Sequence, residues 1–180
     1  AVSACDDNPL AEDREEAAYF RLNPSNVAVH GGGGTVKVGA TVLNKYGAAT
    51  NAAVSATPCD ARITSAVDTA RTDYEFPERF EITGVTLGVS CLVVSGGGIT
   101  DTIGVRVVPD SIAVSFADTI ESGSGTTVEV TFLGANGQPV TGMTLADVTI
   151  TIDDEDAGVL NTATGEIAGR APTDTEIEVA

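Results

Sequence analysis

Thr35-Val36-Lys37-Val38-Gly39-Ala40-Thr41-Val42-Leu43, closed by Asn44-Lys45-Tyr46-Gly47, is the stretch on which the fold turns. Its apolar residues recur at every second position, the period of a half-buried β-strand and not of a helix. The four residues after it are turn formers, so the chain is expected to reverse there. Working outward, the same rhythm returns at Val27–Val29, Ala53–Thr57, Arg62–Val67, Arg79–Thr83, Val89–Ser95 and Thr102–Val108. About seven short strands separated by turn signals fit one β-sandwich of about 100 residues.

Pro109-Asp110 interrupts the rhythm, and the scheme then restarts. Ser111-Ile112-Ala113-Val114 echoes Ser25–Val29. Thr127–Leu133 with Ala135-Asn136-Gly137 echoes Thr35–Leu43 with Asn44–Gly47, about 90 residues later. A repeat at that spacing implies two sandwiches in tandem, 19–109 and 110–180. The second copy is expected to lack one or two closing strands after Thr175–Val179, and an unpaired last strand would expose an edge.

Composition agrees. The chain of 180 residues is 42% hydrophobic, with 20 glycines, no Trp and one Met. Such a chain can fill cores, and its apolar content is of the strand type. The expected class is therefore all-β. The formal charge is −17, with −6 on residues 1–110 and −11 on residues 111–180. Nucleic acid is excluded as a partner, because phosphate binding needs clustered Lys and Arg. No apolar run approaches the roughly 18 residues that a helical membrane span requires.

Residues 1–18 read as a leader remnant and tether. Asn8 can cap a short helix, Pro9 suits its first position, and Glu12, Asp13, Glu15 and Glu16 favour its N-terminal half. Such a helix is marginal alone and either docks or remains a stalk. Leu10, Ala17, Tyr19, Phe20 and Leu22 are the side chains it would offer to a protein partner.

Val2-Ser3-Ala4-Cys5, followed by Asp6-Asp7-Asn8-Pro9, resembles the lipobox of bacterial prolipoproteins. That resemblance implies lipidation of Cys5 and removal of residues 1–4, so that the membrane is reached through a lipid anchor only. The other reading of Cys5 is a free thiol. With Cys5 set aside, Cys59 and Cys91 form an even pair suited to one disulfide in an oxidising compartment.

Pro24-Ser25-Asn26-Val27-Ala28-Val29, Gly33-Gly34-Thr35-Val36-Lys37-Val38-Gly39-Ala40-Thr41-Val42 and Gly165-Glu166-Ile167-Ala168-Gly169-Arg170-Ala171 resemble the bacterial Ig-like domains of intimin- and invasin-type surface proteins. The resemblance implies tandem immunoglobulin-like sandwiches. It also places Cys59, after the third strand, beside Cys91, in the sixth, on neighbouring strands of one sheet. As a whole, the chain is also similar to Ig-like periplasmic subunits of photosynthetic reaction-centre complexes.

No catalytic constellation is readable. His30 is the sole histidine and stands beside Gly31–Gly34, where a turn or surface role is expected. A hydrolytic triad needs a base held by its nucleophile, and zinc needs several Cys and His at short spacing. Gly31–Gly34 and Gly96–Gly98 lack the Gly-Lys-Ser/Thr and helix of a phosphate loop, which leaves them as turn glycines. Asp153, Asp154, Glu155 and Asp156 are the one calcium candidate, although the EF-hand spacing is absent and a solvated acidic turn accounts for them as well. The expectation is therefore a protein without catalytic residues or cofactor, outside the cytoplasmic membrane. It would serve as an anchored accessory subunit of a membrane-protein complex, as a cell-surface adhesin or stalk, or as spacer domains of a larger enzyme.

Overall fold

The computed structural model describes residues 16–69, 78–117, 119–170 and 175–179. The helix expected in the tether, together with Cys5 and Leu10, lies outside them.

Eight strands build the first sandwich: β1 Tyr19–Asn23, β2 Asn26–His30, β3 Thr35–Leu43, β4 Ser55–Pro58, β5 Ile63–Val67, β6 Glu78–Gly84, β7 Gly88–Gly96 and β8 Ile99–Val108. They form two four-stranded sheets, ordered β1-β3-β6-β5 and β2-β8-β7-β4. All pairings are antiparallel except β2 with β8, which run parallel. This two-sheet arrangement is immunoglobulin-like.

The alternation seen in the sequence sets which side of each strand is inside. Val38, Ala40 and Val42 of β3, Phe80 and Ile82 of β6, Leu92 and Val94 of β7, and Ile103, Val105 and Val107 of β8 are all buried between the sheets. The quoted stretch thus forms the central spine of one sheet, pairing with β1 on one side and β6 on the other.

Seven further strands follow: β9 Ser111–Ser115, β10 Gly125–Thr127, β11 Glu129–Leu133, β12 Ile150–Ile152, β13 Gly158–Asn161, β14 Glu166–Gly169 and β15 Ile177–Val179. β9 pairs with β11, β10 pairs with β14, β14 pairs also with β13, and β12 pairs with β15. Their core is smaller, centred on Val128, Ile150 and Ile167.

The repeat at 90 residues holds down to individual hydrogen bonds. In the first turn Asn44 N–H donates to Ala48 O, Gly47 N–H donates to Asn44 O, and Leu43 bridges Ala49. In the second, Gly134 N–H donates to Gln138 O, Gly137 N–H donates to Gly134 O, and Leu133 bridges Pro139. Gly47 and Gly137 both take positive φ, +80° and +70°, which the turn requires and which side chains resist.

One part of the expected repeat is corrected. Ser111–Ser115 does not take the place of Ser25–Val29. It pairs antiparallel with Glu129–Leu133 as Tyr19–Asn23 pairs with Gly39–Leu43, so β9 is the counterpart of β1.

Candidate functional site

The two sandwiches meet through backbone. His30 ends β2 and hands the chain to Gly31, whose N–H donates to Val108 O. Gly31 O in turn accepts from Ala135 N–H of the second sandwich at 2.9 Å. Leu87 N–H donates to Thr141 O of the second sandwich at 2.8 Å. Two neighbouring turns of one sandwich are thereby stitched to one turn of the other.

Side-chain absence makes this approach possible. A Cβ on Gly134 would lie 2.5 Å from Val140 Cγ2, 2.6 Å from Gly31 O and 2.9 Å from Gly32 Cα. A Cβ on Gly142 would strike the backbone of Leu87. Around these glycines Phe132 is buried in the core of the first sandwich, and Val130, Val140, Met143 and Val148 pack against it. The first core therefore continues across the seam, where a flexible linker would leave a polar gap.

His30 sits at the rim of this seam, half exposed. Its Nδ1 is 3.1 Å from Pro109 O and 3.7 Å from the Asp110 carboxylate. It thus braces the two-residue connection between the sandwiches, and no nucleophile stands beside it among these contacts.

A second cluster lies on the β4–β7 edge. Cys59 and Cys91 are joined by a disulfide, with Cα atoms 5.2 Å apart, and Cys59 N–H donates to Cys91 O at 2.8 Å. Next to it, Asp60 Oδ1 accepts from Arg62 N–H and from Ser90 Oγ–H, both at 2.9 Å, while Oδ2 accepts from the Arg62 guanidinium at 2.7 Å. The backbone N–H of Arg62, with Ser90 and the guanidinium behind it, holds the Asp60 carboxyl below its ordinary 3.8 against some opposing desolvation. A lowered folded-state value means that the unfolded chain binds the proton more readily. The stabilisation is therefore present above 3.8 and is lost as the pH falls through the folded value. Asp60→Asn is expected to lower the urea midpoint at about pH 6, and that difference is expected to shrink at about pH 2 as the Asp60 carboxylate takes up protons below 3.8. Equal differences at both pH values would refute the assignment.

The acidic run does not assemble into a cation site. Asp154 Oδ1 accepts from Asp156 N–H, Asp154 N–H donates to Thr175 Oγ1, and Asp153 N–H donates to Glu176 O. These bonds make a turn, and among the described residues no three acidic, His or Cys groups converge on one point. An open cleft of about 440 Å³ runs between β12 and β13 past Ile152, Glu155, Leu160 and Arg170. No described helix is long and apolar enough to cross a membrane.

Three of the side chains offered for a partner are used by the protein itself. Phe20 is only 8% exposed and belongs to the first core, with Ala17 and Leu22 packed against it. The reason is the register of β1 on β3, which turns Phe20 and Leu22 to the inner face. Tyr19, on the outer face, is exposed. The seam is not legible in Gly31–Gly34, which read as turn glycines. The only available signal was that Gly134 stands where the first repeat has Asn44.

No family model matches the chain, and a search of curated proteins finds no relative. Solved structures do resemble it in fold. Domains 5–6 of the S-layer protein SbsC align over 91% of this chain and 82% of that one, at 20% identity and a TM-score of 0.44. Domains 1–6 of the same surface layer protein align over 91% of this chain and 21% of theirs, at 20% identity and a TM-score of 0.46. Invasin, described as a bacterial integrin-binding protein, aligns over 89% of this chain and 35% of its own, at 16% identity and a TM-score of 0.38. The chain is similar to these in general arrangement, and no residue role is carried across.

Proposed function

We infer that the chain is a non-catalytic structural segment, two Ig-like sandwiches locked end to end as part of a stalk outside the cytoplasmic membrane. The observation that supports this reading is the seam. Backbone bonds from Gly31 and Leu87, and a core that runs through Phe132, fix the angle between the sandwiches. A stalk needs that property, because a spacer with free joints transmits neither reach nor force. The disulfide supports an oxidising location. Attachment through Cys5 is compatible with the same role. The accessory-subunit reading loses its main argument, since Phe20 and Leu22 are consumed by the first core.

The test is a distance measurement across the seam. Val89 and Val159 are exposed, one on each sandwich. Spin labels at Val89→Cys and Val159→Cys, in a Cys5→Ser background, are expected to give one narrow distance peak. A broad distribution would show a jointed chain and overturn the stalk reading.

A further inference from the structure

Each face of the seam has a copy elsewhere in the molecule. The turn Gly134–Gln138, which seats on the first sandwich, has its counterpart in Asn44–Ala48, closed by the same hydrogen bonds. The receiving loop is repeated too. Gly33 N–H donates to Gly84 O and Gly84 N–H to Gly34 O, while Gly123 N–H donates to Gly169 O and Gly169 N–H to Ser124 O. By that register Glu121 and Ser122 stand where Gly31 and Gly32 receive the second sandwich. The loop opens β3 and the turn closes it, so the two faces lie at opposite ends of a sandwich.

The copies keep the backbone frame and fill the gaps. At the seam a Cβ on Gly31 would lie 3.0 Å from both Leu87 Cδ2 and Val140 Cγ1. One on Gly32 would lie 2.9 Å from Asn136 Oδ1 and 3.1 Å from Gly134 Cα. Glu121 and Ser122, both exposed, put side chains at these places, and the Ser122 hydroxyl is anchored there by donating to Arg170 O at 2.9 Å. Gly32 also takes a φ of +68°, a conformation that Ser122 does not share.

On the turn, Asn44 fills the place of Gly134, whose Cβ would meet Gly31 O at 2.6 Å. Asn44 is needed where it is. It is 1% exposed, and its Oδ1 accepts from Tyr46 N–H at 2.9 Å and from Ala48 N–H at 3.0 Å. In the second turn that task falls to Asn136, whose Oδ1 accepts from Gln138 N–H at 3.0 Å, and position 134 can be glycine.

We propose that these residues form a pairing code. The Gly31–Gly32 face accepts only a turn of the 134–140 kind, while the molecule's own turn 44–50 and its Glu121–Ser122 face are closed to such docking. The partner that fits has glycine first in the turn, a small residue second, Asn third and a β-branched apolar residue seventh, as in Gly134, Ala135, Asn136 and Val140. Copies of this chain therefore do not join end to end through seams. Complementary faces left open at opposite ends would add subunits without closing, into fibres. Lys45 and Glu121 would face each other in such a joint, but an exposed ion pair contributes too little to overcome backbone collisions. The proposal rests on the seam and not on the stalk reading.

Two half-opened variants test it, both in a Cys5→Ser background. One carries Asn44→Gly, Lys45→Ala, Tyr46→Asn and Thr50→Val, and the other carries Glu121→Gly and Ser122→Gly. In sedimentation equilibrium the parent and each variant alone should be monomeric. An equal mixture of the two should form a one-to-one complex, at least about tenfold tighter than any association of the parent with itself. A mixture of folded variants that stays monomeric overturns the proposal, as does a parent that chains end to end and cross-links between Lys45 and Glu121. The reciprocal transplant decides the matter if a half-opened variant fails to fold. Gly31→Glu with Gly32→Ser, in the protein labelled at Val89→Cys and Val159→Cys, should turn a narrow distance peak into a broad one. A peak that stays as narrow as the parent's means that the face accepts side chains, and the code falls.

Discussion

Gly134→Ala is expected to uncouple the two sandwiches, lowering stability by about 3 kcal/mol and splitting one cooperative urea transition into two. The position isolates the seam well. Gly134 has no positive φ, so the substitution adds no conformational strain of the left-handed kind. Its new methyl would instead meet Gly31 O at 2.6 Å and Gly32 Cα at 2.9 Å, backbone atoms that cannot rotate away. Relief requires the turn Gly134–Gly137 to retreat from Gly31, which breaks the Ala135 N–H to Gly31 O bond and opens the apolar contact around Val140. Gly137→Ala is the matched control. Its φ of +70° makes it pay the conformational cost of about 1–2 kcal/mol, but no atom lies within 4 Å of its Cβ. That variant should lose stability in a single transition and keep the label-to-label distance across the seam. If Gly134→Ala also unfolds in one transition with an unchanged distance, the seam is a contact of convenience.

These glycines show where the sequence stops being readable. The period of two from Thr35 to Leu43 reports which faces are buried, and it does so because alternation is a local property of the strand. The turn at Asn44–Gly47 is local as well, and its copy 90 residues later was recognisable from letters alone. A glycine that lets two backbones touch is not local. Its reason lies in residues about 100 positions away, and Gly134 carries the same letter as a glycine needed for a turn. The placement of β9 failed for a related reason. Ser111–Val114 shares letters with Ser25–Val29, but strand position is set by the partner, and β9's partner is Glu129–Leu133. Tyr19–Asn23 shares only alternation with β9, too weak a likeness to find by eye. Phe20 and Leu22 read as docking residues from their place next to a tether. Pairing with Val42 and Ala40 turns them inward, and pairing is what a single strand's sequence does not display.

Replacing Cys59 and Cys91 together by Ser is expected to remove about 3.7 kcal/mol, the chain-entropy estimate for a closed loop of 32 residues. The loop encloses β5 and β6, so the cross-link restricts the unfolded chain over two strands of the opposite sheet. Folding should survive, because Cys59 N–H still donates to Cys91 O and Asp60 still accepts from Ser90. Urea unfolding of the oxidised parent, the reduced parent and the double variant separates the contributions. The reduced parent and the double variant should coincide, both well below the oxidised parent. If all three coincide, the bond contributes nothing and β4–β7 pairing alone holds the edge. The cross-link also limits how far the chain extends under tension. When the first sandwich is pulled apart from its ends, the segment between Cys59 and Cys91 cannot extend. Single-molecule stretching should therefore show an unfolding step shorter by about 110 Å in the oxidised protein, at about 3.4 Å for each of the sequestered residues. A step of equal length with and without reductant would mean that the two sulfurs are not joined in the folded protein. In that case the stabilisation assigned to the bond would have to be found in Asp60, Ser90 and the strand pairing around them.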